Sequence, residues 1–161
     1  MTILAPMRFT LAVLAVLSML AVPALAREPH RPTDEVRARM EHHLREANHL
    51  ADHFESVMTA SCPRFASPGE WTSYLDGEID RVVLLMAHLE QAWVEAKHTG
   101  DDDVRREAKA PRRRVDQARA LFDKLSSCAE RNGAPAVSQP AVWRRIEREV
   151  PQRQAEIALP E

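Results

Sequence analysis

Glycine is scarce in this chain of 161 residues, four in all, and aromatic side chains make up only 5% of it. The four glycines are scattered, so no glycine-rich loop is present to cradle a phosphate. No segment alternates apolar and polar residues with a period of two, which removes a half-buried sheet from consideration. With two cysteines there is no Cys-x-x-Cys-His for covalent haem and no thiolate-rich metal site. His-Glu-x-x-His and Gly-x-Ser-x-Gly are both missing, and we expect no enzyme. Lys and Arg number 22 against 24 Asp and Glu, a balance that gives no overall attraction to nucleic acid.

One long apolar run does occur, from Phe9 to Val22, at the start of the chain. Arg8 precedes it, and Pro23 and the small-residue pattern Ala24-Leu25-Ala26 follow before Arg27. This is the layout of a cleaved secretory signal over residues 1–26, with Met1 or Met7 as the start. Its apolar core is shorter than the roughly 20 residues of a spanning helix. Residues 27–161 are then a single exported domain, periplasmic or secreted and not membrane-integral, with 21 basic and 24 acidic residues.

Both cysteines, Cys62 and Cys128, fall in the exported part, where thiols normally pair. The closed loop would span 66 residues, for which loop entropy gives about 4 kcal/mol of stabilisation.

The rest of the sequence reads as helix. Thr33 is placed to cap a first helix whose apolar seam is Val36, Met40, His43, Ala47, Leu50, Phe54 and Val57, ended by Cys62-Pro63. These steps alternate four and three, as in a bundle helix. Ser67-Pro68-Gly69-Glu70 is a second start: a cap, a proline at the first helical position, and a glutamate three residues after the cap. The second seam is Leu75, Ile79, Val82, Met86, Leu89, Trp93 and Ala96, with Gly100 as its stop. Asp101, Asp102 and Asp103 open a third helix, because negative charge is favoured at a helix N-terminus. Its seam runs from Val104 to Ala129 and ends at Asn132-Gly133, with a break expected near Ala110 because Pro111 lies inside it. A shorter fourth helix carries Trp143, Ile146 and Val150. The expected fold is all-α, an up-down-up antiparallel bundle of three long helices plus a short C-terminal helix packed across one side. In that order Cys62 and Cys128 lie at the same end.

Three groups of residues stand out chemically. His42, Glu46, His49 and His53 share a sector of about 60 degrees on the first helix, a face able to bind Zn, Cu or Ni. The two Glu-x-x-His elements at Glu46 and Glu95 are offset by roughly 16 Å in the antiparallel register, too far to share a metal pair. His43 sits in the seam, level with about residue 87, so Met40, His43 and Met86 form an interior polar site, suited to register-setting or to Cu(I). His88 and His98 read as solvent-exposed. Arg105, Arg106, Lys109, Arg112, Arg113 and Arg114 form a basic strip around Pro111, fit to dock an acidic protein or an anionic envelope surface. The strip lacks interleaved aromatics, so it does not suit nucleic acid.

The leading expectation is an exported non-enzymatic helical binding protein acting on a protein or envelope partner, in an accessory, chaperone-like or inhibitor role, with no cofactor. The alternative is a periplasmic metal-handling protein using the histidine face. Exposed seam residues would also let two such bundles form a homodimer.

Overall fold

A computed structural model describes residues 30–160. The expected signal over residues 1–26 lies outside the described residues, as do the side chains of Arg112 and Arg113. The described chain is all-helical: α1 (Thr33–Thr59), α2 (Pro68–Lys97), α3 (Asp102–Lys109), a 3-10 turn (Ala110–Arg113), α4 (Arg114–Asn132) and α5 (Gln139–Ile157). Counting α3 and α4 as one broken element, four helices pack together.

Local chemistry explains the ends. Ser67 Oγ accepts from the Glu70 amide at 3.2 Å while Glu70 Oε2 accepts from the Ala66 amide at 2.9 Å, so donors left over at the start of α2 are satisfied by side chains. Asp101 Oδ1 accepts from the Asp103 and Val104 amides and caps α3. Asn132-Gly133 stops α4: Gly133 has φ of 63°, and the Ala134 amide returns to the Ala129 carbonyl at 2.9 Å. Pro111 divides the third helix where the missing amide hydrogen was expected to break it.

Several expectations need correction. Pro32, not Thr33, precedes the first turn of α1; the Thr33 hydroxyl instead contacts the Thr99 hydroxyl at 3.3 Å. α2 ends at Lys97, before Gly100, which has no positive φ. α5, with 19 residues, is shorter than α1 and α2 as expected, but it lies along α2 rather than across one side. Arg145 pairs with Asp76 and Asp80 near its start, and Gln154 bonds Gln91 near its end.

The apolar interior has two parts. The larger contains Phe54, Trp71, Leu85, Leu121, Phe122, Leu125 and Ile146. A smaller one gathers Val36, Met40, Ala92, Ala96, Val104 and Ala108. Each fully buried large side chain contributes about 1.5–3 kcal/mol by leaving water. The Cys62–Cys128 disulfide ties the connection after α1 to α4, with Cα atoms 5.4 Å apart.

Candidate functional site

A run of polar side chains, buried on α2 and at His43 and half-buried elsewhere on α1, lies between the facing surfaces of α1 and α2. α1 supplies Arg39, His42, His43 and Glu46; α2 supplies His88, Gln91 and Glu95. Contacts pair rising numbers on α1 with falling numbers on α2: Arg39 with Glu95, His43 with His88, His53 with Glu78.

Glu95 is 2% exposed and receives Arg39 Nε at 2.9 Å and Gln91 Nε2 at 2.9 Å, with Arg31 Nη1 at 3.5 Å. Burial pushes its carboxyl up, but the bonds from Arg39 and Gln91 and the charges of Arg39 and Arg31 outweigh this and hold it below the ordinary value. The same Arg39 guanidinium donates to the Leu159 and Pro160 carbonyls at 2.8 and 2.9 Å, fastening the chain beyond α5 over the ion pair.

One turn further along α1, His43 is 0% and His88 6% exposed, with their Nδ1 atoms 3.0 Å apart. His43 Nε2 is buried with no hydrogen-bond partner. His42 presents its ring to both, centroids 5.1 Å from His43 and 6.5 Å from His88. Burial lowers His43 to about 4, helped by the positive charge that His88, His42 and Arg39 would carry and opposed by Glu95. Burial likewise lowers His88, with His42 adding to the effect and Glu46 opposing it. Both imidazoles are therefore neutral at pH 7.

Above the Arg39–Glu95 pair opens a cavity of about 910 Å³. Among the described residues lining it, Arg31, Arg39, Lys97 and Arg105 are cationic and Glu95 is the one carboxylate; His30, His98, Ala158 and Leu159 complete much of the wall. A shallower pocket beside it is lined by Trp93, Asp102, Arg105, Arg106 and Lys109. There Lys109 Nζ lies 4.5 Å and Lys97 Nζ 5.3 Å from the Trp93 ring centre.

The three groups singled out in the sequence fare differently. Of the basic strip, Arg105, Arg106 and Lys109 meet around the smaller pocket, with Arg105 also lining the main cavity, whereas Arg114 lies beyond the 3-10 turn and bonds Gln117 at 3.4 Å. Arg105 and Arg106 also pair with Asp102 and Asp103. The histidine face divides: His42 turns to the buried pair, His49 is exposed, and His53 Nε2 binds Glu78, itself 1% exposed, at 3.0 Å. Among the described residues no group of three or more His, Cys, Asp or Glu is arranged to hold a metal ion. Of the interior trio, Met40 packs in the smaller apolar part and Met86 against the larger, so the two thioethers belong to different parts of the interior.

Sequence reasoning missed His88, Glu95 and Glu78. His88, expected on the solvent side, is the partner of His43. The register placed residue 87 opposite His43 and was one residue from the observed partner, so the antiparallel count, read without assuming a single seam, was the available signal. His98 is half-buried in the cavity wall rather than fully exposed. Compared with protein-family models, curated proteins and solved structures, the chain matches none.

Proposed function

We propose that this chain is an exported, non-enzymatic binding protein that takes an anionic group of a protein or envelope partner into the basic end cavity. The observation that carries the reading is the charge of that cavity: four cationic side chains line it against Glu95, which is already engaged by Arg39 and Gln91. An incoming carboxylate or phosphate meets guanidinium groups suited to bidentate recognition. Arg106 and Lys109 beside Trp93 extend the same surface outward, giving a partner a polar rim and an aromatic anchor.

Export rests on the signal over residues 1–26 and is in keeping with the paired cysteines. The up-down-up order of α1, α2 and α3–α4 belongs to the same reading; the antiparallel α1–α2 contacts and the Cys62–Cys128 bridge at one end support it. No helix among the described residues is long and apolar enough to cross a membrane. The metal-handling alternative has less support, because His53 is committed to Glu78 and the histidine face is divided.

The test uses the mature protein, residues 27–161, without a histidine tag. Trp fluorescence is followed during titration with an acidic peptide, with anionic vesicles and with neutral vesicles. Binding to one anionic probe, weakened about tenfold by joint Arg31→Ala and Arg105→Ala substitution and by salt at a Debye length of about 3 Å, supports the proposal. Equal binding by the wild type and the double variant would remove the cavity from the account.

A further inference from the structure

At the opposite end of α1, Cys62 of the disulfide forms part of the wall of a second cavity, of about 920 Å³. The two sulfurs differ in setting. Cys62 lies in the connection between α1 and α2, outside any helix and partly exposed, while Cys128 is 0% exposed on α4. The Arg131 guanidinium reaches both: Nη2 is 2.7 Å from Cys62 Sγ and 3.6 Å from Cys128 Sγ. Arg64, Lys124 and Arg131 line this cavity, and no carboxylate does among the described residues. The Lys124 ammonium is fixed there by donating to the Val57, Met58 and Ala60 carbonyls at the end of α1.

A structural disulfide needs no cation at its sulfurs. A cation there matters when one sulfur carries negative charge, because the thiolate is the nucleophile and the leaving group in thiol–disulfide exchange. We propose that Cys62–Cys128 is an exchange site for small thiols bearing carboxylates, with Cys62 the accessible sulfur and Arg131 the group that stabilises the displaced thiolate.

The chemistry balances with the thiol as sole co-reactant. Its thiolate, the proton having gone to solvent, attacks Cys62 Sγ; a sulfur–sulfur bond forms to the incoming group as the bond to Cys128 breaks. Cys128 leaves as a thiolate beside Arg131 and then takes a proton. A second thiolate attacks the incoming group's sulfur, releasing the small disulfide and leaving Cys62 as a thiolate against the same guanidinium. The pair is reduced by two electrons and two small thiols are oxidised to one disulfide; run in reverse, Cys62 attacks a small disulfide. Because Cys62 is not held by helix hydrogen bonds, its sulfur can turn toward the cavity while Cys128 stays packed.

The experiment takes the oxidised mature protein and measures formation of the mixed disulfide by peptide mass analysis, with glutathione as the anionic probe and 2-mercaptoethanol as the neutral one. The expected adduct is on Cys62. Arg131→Gln should slow it roughly tenfold with either thiol, and Arg131→Lys should restore most of the rate. Arg64→Ala should slow glutathione while leaving 2-mercaptoethanol unchanged, a split that a packing role for these cations would not produce. Equal rates in wild type and Arg131→Gln overturn the proposal. So does an adduct on Cys128, or loss of helical circular dichroism in step with reduction, since the bridge would then be opened only by unfolding.

Discussion

His43 and His88 meet across the α1–α2 contact with their Nδ1 atoms 3.0 Å apart, and both rings are buried. A hydrogen bond between two such nitrogens requires one to donate and the other to accept. With the pair neutral, one shared proton meets that need; with both rings protonated, two like charges face each other without water. Glu46 and Glu95 favour that charging but do not outweigh burial, while His42 and Arg39 add to its cost.

Stability should therefore fall with acid. The folded-state values of His43 and His88 are depressed, so the folded protein binds fewer protons than the unfolded chain. Their contribution is present above about pH 6.5 and is progressively lost as pH falls toward 4, the value for His43. For His43 the loss is of the order of 3 kcal/mol. Urea unfolding at pH 7.5, 6, 5 and 4.5 measures it, and the joint substitution of His43→Leu and His88→Leu should flatten the curve. A midpoint that is level between pH 7.5 and 5 in the wild type contradicts the buried neutral pair.

Arg39→Ala should destabilise the protein by about 3 kcal/mol, because it takes from buried Glu95 its shortest cationic contact, leaving Gln91 and the more distant Arg31, and frees the Leu159 and Pro160 carbonyls. Joint Arg39→Met and Glu95→Met substitution should cost much less, since it removes both charges. Chemical denaturation of the three proteins decides it; equal losses in the single and double variants would mean that the ion pair is not what Arg39 contributes.

Two glycines separate backbone strain from helix propensity. Gly133 has φ of 63° with open space around the missing Cβ, so Gly133→Ala should cost about 1–2 kcal/mol through the backbone alone. Gly77 lies inside α2, where an added Cβ meets only the flexible end of Arg81 at 3.4 Å, so Gly77→Ala should stabilise by about 0.5–1 kcal/mol. Thermal melts with opposite signs are expected; a loss at Gly77 would point to a tighter packing there.

Zn, Cu and Ni titrations should show no tight site on α1. His49→Ala is expected to leave both metal response and stability unchanged, whereas His53→Ala should lower stability by about 1–3 kcal/mol by depriving buried Glu78 of a partner, leaving Arg81. Isothermal titration and unfolding on the same samples separate the two effects. Micromolar binding abolished by these substitutions would promote the metal-handling alternative over the binding-protein reading.

Much of the architecture was legible because its causes are local. Ser67 with Glu70, the acidic run at Asp101, Asn132-Gly133 and Pro111 each act within a few residues, through unsatisfied amides, the helix dipole, a left-handed backbone or a missing hydrogen. The alternating four and three steps located α1, α2 and the broken third helix for the same reason. α5 was located by Trp143, Ile146 and Val150, but that it lies along α2 rather than across one side depends on long-range packing.

The sequence by itself determined where the helices lie, where the third one breaks and the near-correct level at which α1 meets α2. Only the tertiary structure decided which polar residues are inside. A single helix's periodicity reports one apolar face, but α2 is contacted by α1, α3, α4 and α5, so Glu78, His88, Gln91 and Glu95 are buried on sides that its seam does not mark. Burial there depends on which distant segment covers each side, and charge is tolerated because that segment brings a partner: His53 for Glu78, His43 for His88, Arg39 for Glu95. The basic cavity arises in the same way, from the pair Arg31 and Arg39 and the distant pair Lys97 and Arg105, which become neighbours only when α1, α2, α3 and the tail after α5 come together.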